Sequence, residues 1–146
     1  MTPPEPTHRI VVGVDGSDTS TAALEWAAGY AEMTGSAVVA LAAWEWPTTF
    51  GVAIFMPDGY DPAADAGAVL EGALAPVRKA HPDVHFETVV ENTRAALALV
   101  AASSDADLLV VGSRGHGELG GMLLGSVSEH CAAGAHCPVL VFRSRE

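Results

Sequence analysis

The apolar residues of this chain fall into two alternating kinds of segment. Short runs of β-branched and other apolar residues are typical of strands buried on both faces, and longer segments with apolar residues at helical spacing are typical of amphipathic helices. The pattern predicts five strands, over residues 9–15, 36–44, 84–90, 108–112 and 138–142. It predicts four helices between them, from Asp18 to Gly35 and over residues 62–80, 93–104 and 126–133.

Three of the predicted helices carry an apolar face that we expect to be buried. In the first helix this face consists of Ala23, Leu24, Ala27, Tyr30 and Ala31. In the second it consists of Val69, Leu70, Ala73, Leu74 and Val77, and in the third of Leu97, Val100 and Ala101. Residues 45–61 contain two prolines, two glycines and four aromatic residues without a clear period, so a long loop is predicted there.

The alternation of strands and helices predicts the fold class, an α/β protein with an open, doubly wound parallel sheet covered by helices on both faces. A closed barrel of such units needs about 250 residues, which this chain does not have. Ligands of doubly wound sheets bind at the carboxyl ends of the strands, where the strand order reverses. If the first and fourth strands are central neighbours, Asp15 and the glycine-rich stretch after Gly112 face each other there.

The chain length and composition indicate one globular domain. The 146 residues are 49% apolar and 17% charged, which suits a single packed core and excludes disorder as the main state. Residues 1–8 read as a flexible tail, and residues 9–146 as the domain. Two cysteines with five residues between them cannot form a disulfide framework, and there is neither a signal pattern nor a membrane-length apolar run. We therefore predict a cytoplasmic protein.

The charge balance argues against two classes of partner. Eighteen acidic and seven basic side chains leave a formal charge of −11, and the one adjacent basic pair is Arg78–Lys79. Proteins that bind nucleic acids or anionic membranes rely on clusters of Lys and Arg. We expect this chain to bind neither.

The stretch from Gly112 to Gly125 contains six glycines, a pattern that suits close approach of backbone N–H groups to an anion, although a plain flexible connection is the alternative. Gly115, Gly117 and Gly120 match the spacing of a dinucleotide-binding fingerprint. In that motif the glycines lead directly into a helix, whereas here five residues separate Gly120 from the next predicted helix, which argues against this interpretation. A Walker loop is excluded because the Gly-Lys-Ser/Thr triplet is missing. A third motif, Gly-x2-Gly-x9-Gly-Ser, is complete in Gly112, Gly115, Gly125 and Ser126.

This third motif, with the segments around it, resembles the ATP-binding branch of the universal stress protein superfamily. The matching segments are Val12–Ser17, Val110–Gly115, Leu124–Val127 and Cys137–Val141, so the resemblance covers the whole chain after the tail. It implies a five-stranded parallel sheet in the order 3-2-1-4-5. It also implies an ATP ligand and a dimer formed through the fifth strand, Val139, Leu140, Val141 and Phe142.

The resemblance implies roles for individual residues. Gly13, Val14 and Asp15 would line the adenosine end, with the Asp15 carboxylate at the ribose hydroxyls, and Ala43 would contact adenine. A carboxylate can accept hydrogen bonds from two sugar hydroxyls. It repels a phosphate, which is also negatively charged, unless a divalent cation, Mg²⁺ or Mn²⁺, lies between them. The ribose and phosphates would be held by Val111, Gly112, Arg114, Gly115, Gly125, Ser126 and Val127.

Several side chains have competing interpretations. Ser126 and Glu129 also form a capping box, in which the Ser126 hydroxyl would serve its own helix. Arg114 could contact phosphate or face solvent, and Trp46 or Phe50 could cover adenine or pack elsewhere. The two His-Cys pairs at 130–131 and 136–137 lack the ligands that would complete a metal site, and no nucleophile motif is present. We predict no catalytic and no metal-binding residues.

Three functional hypotheses follow. The first is a cytoplasmic ATP-binding stress-response protein that acts as a sensor or regulator and not as an enzyme. The second is a slow ATPase or phosphotransferase, for which Arg114, His116 and Glu118 are the available side chains. The third is a dimeric scaffold without a nucleotide, which would be expected to lose Gly125 or Ser126, yet both are present.

Overall fold

A computed structural model describes residues 7–114 and 124–144. Its strands are β1 (Arg9–Gly13), β2 (Ala37–Trp44), β3 (Thr48–Thr49), β4 (Val52–Ala53), β5 (Phe86–Asn92), β6 (Leu108–Gly112) and β7 (Val139–Phe142). Its helices are α1 (Asp18–Thr34), α2 (Pro62–Ala80), α3 (Ala95–Ala102) and α4 (Ser126–Gly134). A short 3-10 turn, Ser103–Asp105, follows α3.

Five strands form one parallel sheet in the order β5-β2-β1-β6-β7, which confirms the predicted fold class and strand order. β1 is central and is nearly completely buried, as its β-branched sequence predicts. The strand order reverses between β1 and β6, so the carboxyl ends of these two strands flank a crevice. Gly13 ends β1 and Gly112 ends β6 at this place.

Helices cover both faces of the sheet, and each face has its own apolar core. One core joins α1 and α2 to the sheet through side chains such as Val12, Leu24 and Leu74. The other joins α3 and α4 to it through side chains such as Val11, Leu99 and Cys131. The ends of α1 agree with the prediction, because the Ser17 side chain caps its first turn and Gly35 follows its last turn with φ +74°.

The structure corrects several predicted elements. The 45–61 segment is not a plain loop, because β3 and β4 pair within it as an antiparallel hairpin. β5 begins and ends two residues later than predicted. Helix α3 is shorter than predicted and buries Ala98 and Leu99, whereas Leu97 is half exposed. The outer edges of the predicted faces of α1 and α2, Tyr30 and Val69, are also exposed.

His81, the residue after α2, joins this helix to α1. Its Nδ1 lies 2.6 Å from Oε2 of Glu32, and its Nε2 lies 2.7 Å from Oε1 of Glu25. Because both ring nitrogens face carboxylates, the geometry favours the protonated imidazolium. The hydrogen bonds to Glu25 and Glu32 raise the pKa of His81 above 6.5, its ordinary value.

We expect this contact to make stability depend on pH. A histidine whose pKa is raised in the folded state contributes stability in full below about pH 6.5, and loses it as the pH rises through the folded-state pKa. His81→Gln, which cannot ionise, should therefore destabilise the protein more at pH 6 than at pH 9. Urea unfolding of both proteins at the two pH values measures this difference, and an equal difference at both would contradict it.

No helix within residues 7–114 and 124–144 is long and apolar enough to cross a membrane.

Candidate functional site

A cavity of about 240 Å³ opens at the carboxyl ends of β1, β2 and β6, where the fold predicts a ligand. Among its described lining residues, Asp15 is the one acidic side chain and Arg114 the one basic side chain. Ten predicted site residues line it: Gly13, Val14, Asp15, Ala43, Val111, Gly112, Arg114, Gly125, Ser126 and Val127. The prediction for Gly115 concerns a residue outside the described ranges.

The first wall of the cavity is the turn between β1 and α1. Oδ1 of Asp15 accepts hydrogen bonds from the backbone N–H of Ser17, at 2.9 Å, and from its hydroxyl, at 2.5 Å. Gly16 allows this tight turn through its φ of +83°. The Ser20 hydroxyl lies 3.2 Å from the Asp15 backbone N–H, which donates to it. The carboxylate is thus held at the rim by its own turn.

The floor and one side of the cavity are apolar. Leu99 of α3 packs directly over Gly13, since a Cβ on that glycine would lie 3.0 Å from Cδ1 of Leu99. Leu41 and Ala43 come from the same face of β2, and Ala95 comes from the first turn of α3. This end of the cavity is therefore suited to apolar contacts with a flat ring.

The opposite wall is the start of α4. Gly125 is the N-cap and has no side chain to cap the helix, so the N–H groups of the first turn, in Ser126, Val127 and Ser128, lie at the cavity wall without an acceptor from their own helix. The positive end of the helix dipole points the same way. This wall therefore favours an anion.

The competing interpretation of Ser126 as a helix cap is wrong. Ser126 is the first residue of α4 and not its N-cap, so the capping box with Glu129 does not form; the Glu129 N–H donates instead to the Gly125 carbonyl. Gly125 has φ −75°, an ordinary value for any residue, so a left-handed conformation does not explain this glycine. The absence of a Cβ at the cavity wall remains the reason for it.

A network behind the wall holds the two ends of the 114–124 segment together. The Gly125 N–H donates to the Ser113 carbonyl at 2.7 Å, and the Ser113 N–H donates to the Phe142 carbonyl at 2.7 Å. The hydroxyl of Ser128 is 2.9 Å from the Gly125 carbonyl and 3.3 Å from the Ser113 carbonyl. Ser128 is almost completely buried. It therefore positions the start of α4 relative to β6.

Five lining residues were not predicted: Ser20, Leu41, Ala95, Leu99 and Ser128. Leu41 could have been found, because it lies two residues before Ala43 and so on the same face of a strand. The two serines carry no such signal, because their positions depend on backbone groups distant in sequence. Neither Trp46 nor Phe50 lines the cavity; Trp46 packs against Tyr60, and Phe50 is fully exposed.

The cysteine and histidine pairs contribute nothing to this cavity. Burial raises the pKa of the Cys131 thiol to about 11, and burial with the nearby Asp107 charge also raises the pKa of Cys137. Both thiols are therefore protonated at neutral pH and unsuited to metal binding or nucleophilic attack. Within the described residues, no group of three or more His, Cys, Asp or Glu side chains is placed to hold a metal ion.

Comparison with known proteins assigns the whole domain to one family. Residues 6–143 match the model of the universal stress protein family. A universal stress protein of Mycobacterium tuberculosis is 39% identical over 144 residues, which cover 96% of this chain and 47% of that protein. The chain thus spans about half the length of the curated relatives it matches.

Solved structures agree in fold over nearly the whole chain. The structure of a universal stress protein in complex with cAMP has a TM-score of 0.68 and 29% identity, and covers 92% of this chain and 94% of that one. A universal stress protein from Archaeoglobus fulgidus has a TM-score of 0.70 and 24% identity, with 94% of each chain covered.

Proposed function

Because this chain belongs to the universal stress protein family, we propose that it binds an adenine nucleotide, with ATP as its ligand, and acts in the stress response as a nucleotide-dependent sensor or regulator and not as an enzyme. The observation that carries this proposal is the division of one cavity into an apolar end and an anion-binding end. An adenine nucleotide has the same division. The family member solved with cAMP supports the same class of ligand.

The base would lie at the apolar end. Leu41, Ala43 and Leu99 supply apolar contacts there, and the absence of a side chain on Gly13 lets Leu99 pack against β1. Ribose hydroxyls would meet the Asp15 carboxylate at the rim. Ionised carboxylates form charge-assisted hydrogen bonds, which are stronger than neutral ones.

The phosphates would lie against the start of α4. Backbone N–H groups of Ser126 and Val127, together with the helix dipole, supply a positive field, and Arg114 at the rim adds a cation. Because Asp15 lines the same cavity, a Mg²⁺ or Mn²⁺ ion carried by the phosphates would reduce their repulsion from this carboxylate. A binding role is preferred to hydrolysis because the Gly-Lys-Ser/Thr triplet of an efficient phosphate-hydrolysing loop is missing. The side chains His116 and Glu118, named above for hydrolysis, lie outside the described ranges.

Titration calorimetry with adenosine, AMP, cAMP and ATP tests the proposal. We expect affinity to require the adenine ring and to rise from adenosine to the phosphorylated ligands, and ATP incubated with the protein to remain intact. Gly125→Ala, which suits the φ of −75° but adds a methyl at the anion wall, should weaken the phosphorylated ligands selectively. Binding of none of the four, or steady release of phosphate from ATP, would overturn the proposal.

We also propose a homodimer formed through β7. This strand is an edge of the sheet and pairs only with β6 among the described strands. Its side chains pack into both cores, so its backbone and not its side chains would make the contact. The adjacent flank of α1 adds Tyr30 and Met33, exposed by 40% and 83%. A two-fold partner would pair the same strand antiparallel with its copy.

The backbone register gives a specific test of the dimer. The Pro138 and Phe142 carbonyls face β6, so by alternation the N–H of Val141 faces the open edge. Val141→Pro removes this donor and should convert a dimer into a monomer of 15.0 kDa. Thr88→Pro removes the equivalent outward N–H on β5, the other edge, and should leave the dimer intact. Analytical ultracentrifugation of the wild type and the two variants measures their masses in solution, and a monomeric wild type would refute the dimer.

A further inference from the structure

We propose that the hairpin of residues 46–55, which contains β3 and β4, is a docking element that packs its exposed apolar side chains against an apolar surface with a basic rim on another protein. None of its residues lines the cavity at the ends of β1 and β6. The proposal is therefore independent of nucleotide binding.

The hairpin displays large apolar side chains to solvent along its length. Phe50 at the turn is 101% exposed, Val52 in β4 is 68% exposed, and Phe55, two residues after β4, is 96% exposed. Single exposed apolar residues are common, but three on one short element are typical of an interaction site. Phe is also among the side chains enriched at protein interfaces relative to the rest of the surface.

The base of the hairpin is rigidly held. The Trp46 indole N–H donates to the Ile54 carbonyl at 2.9 Å, and its ring packs edge-on against Tyr60 with the centroids 5.3 Å apart. The Ile54 N–H donates to the Pro47 carbonyl at 3.0 Å, which continues the pairing of the two short strands. An element that is already ordered loses little conformational entropy on binding.

The turn at the tip is strained at the residue that it displays. Phe50 has φ +51° and Gly51 has φ +79°. Two successive positive φ values are usual in a two-residue hairpin turn, but Asn, Asp or Gly normally occupies the first position. A bulky side chain in the left-handed region costs about 1–2 kcal/mol. Folding does not require Phe at this position, so its presence points to use of the exposed ring.

The charges around the base select the partner. Glu45, Asp58 and Asp61 are all exposed, and residues 45–61 contain no Lys, Arg or His. This acidic collar would repel an anionic membrane, and it would also repel the same collar on a second copy of the chain. An apolar surface with a basic rim on a different protein fits both the apolar side chains and the collar.

The experiment uses a peptide of the proposed chemistry. A labelled amphipathic helical peptide of Leu and Lys supplies an apolar face with a basic rim, and a Leu and Glu peptide of the same pattern supplies the charge control. By fluorescence anisotropy, we expect the full chain to bind the first peptide, more weakly at high salt, and not the second. Phe50→Ser with Phe55→Ser should reduce the affinity at least about tenfold, with an unchanged melting temperature.

Leu97→Ser is the matched control, because Leu97 is also an apolar side chain exposed by about half but lies on α3, outside the hairpin. It should bind the Leu and Lys peptide as the wild type does. The proposal is overturned by any of three results: no binding by the wild type, equal affinity of the double Phe variant and the wild type, or equal binding of the two peptides. Loss of a dimer in the double Phe variant would assign the hairpin to a second copy and overturn it as well.

Discussion

Replacing Asp15 by Asn is expected to weaken the binding of AMP and ATP by about 1.5–3 kcal/mol, a factor of roughly 10 to 150 in affinity. Asn keeps an oxygen that can accept the Ser17 N–H, so the turn between β1 and α1 is preserved. It loses the charge that would strengthen hydrogen bonds from the ribose hydroxyls. Calorimetric titration of wild type and variant measures the difference.

Two controls separate the ribose contact from the fold of the turn. Ser17→Ala removes the hydroxyl that donates to Oδ1 of Asp15 but keeps the carboxylate, so it should retain most of the affinity. The 2′,3′-dideoxy analogue of ATP should bind the wild type weakly and lose little more on Asp15→Asn. If the variant weakens this analogue as much as ATP, the carboxylate does not act through the ribose.

The sheet could be predicted from the sequence because its strands are buried on both faces. Such strands are nearly continuous runs of β-branched and other apolar residues, as in Ile10–Val12 and Leu108–Val111, and the connections between them are long enough for helices. The carboxyl ends of the central strands then locate the candidate site. That argument brought Asp15 and Gly112 to one crevice, where the structure places both.

Helix α3 shows where pattern alone fails. Its eight residues, Ala95–Ala102, are all Ala, Leu or Val, so the sequence contains no polar side to distinguish the buried face. The face is decided by the sheet beneath it, where Leu99 fits over the bare backbone of Gly13. The stripe that contains Leu97 is equally apolar and is half exposed.

The predictions for the start of α4 and for the hairpin fail for a different reason. At α4, a serine followed three residues later by a glutamate predicts a cap at Ser126, but the pairing of Gly125 with Ser113 places the cap one residue earlier. In the hairpin, two-residue strands are too short to show a period. In both cases a contact distant in sequence determines the local structure.

Gly112→Ala is expected to destabilise the fold by about 1–3 kcal/mol, the usual cost of overpacking. A Cβ on Gly112 would lie 2.8 Å from Cγ2 of Thr19 and 3.3 Å from the backbone oxygen of Arg114. The end of β6 and the first turn of α1 would have to move apart, and both border the cavity. Gly72→Ala is the matched control, because nothing lies within 4 Å of its Cβ and alanine favours the helix.

The cause of this destabilisation can be tested by a second substitution. Thr19→Ser removes the Cγ2 methyl but keeps the hydroxyl that lies 3.4 Å from the Ser144 hydroxyl. Since the closest contact then disappears, the double variant Gly112→Ala with Thr19→Ser should regain most of the lost free energy of unfolding. What remains reflects the contact with the Arg114 oxygen, which no side-chain change relieves. Additive effects of the two substitutions in urea unfolding would place the cost elsewhere than at the contact between α1 and β6.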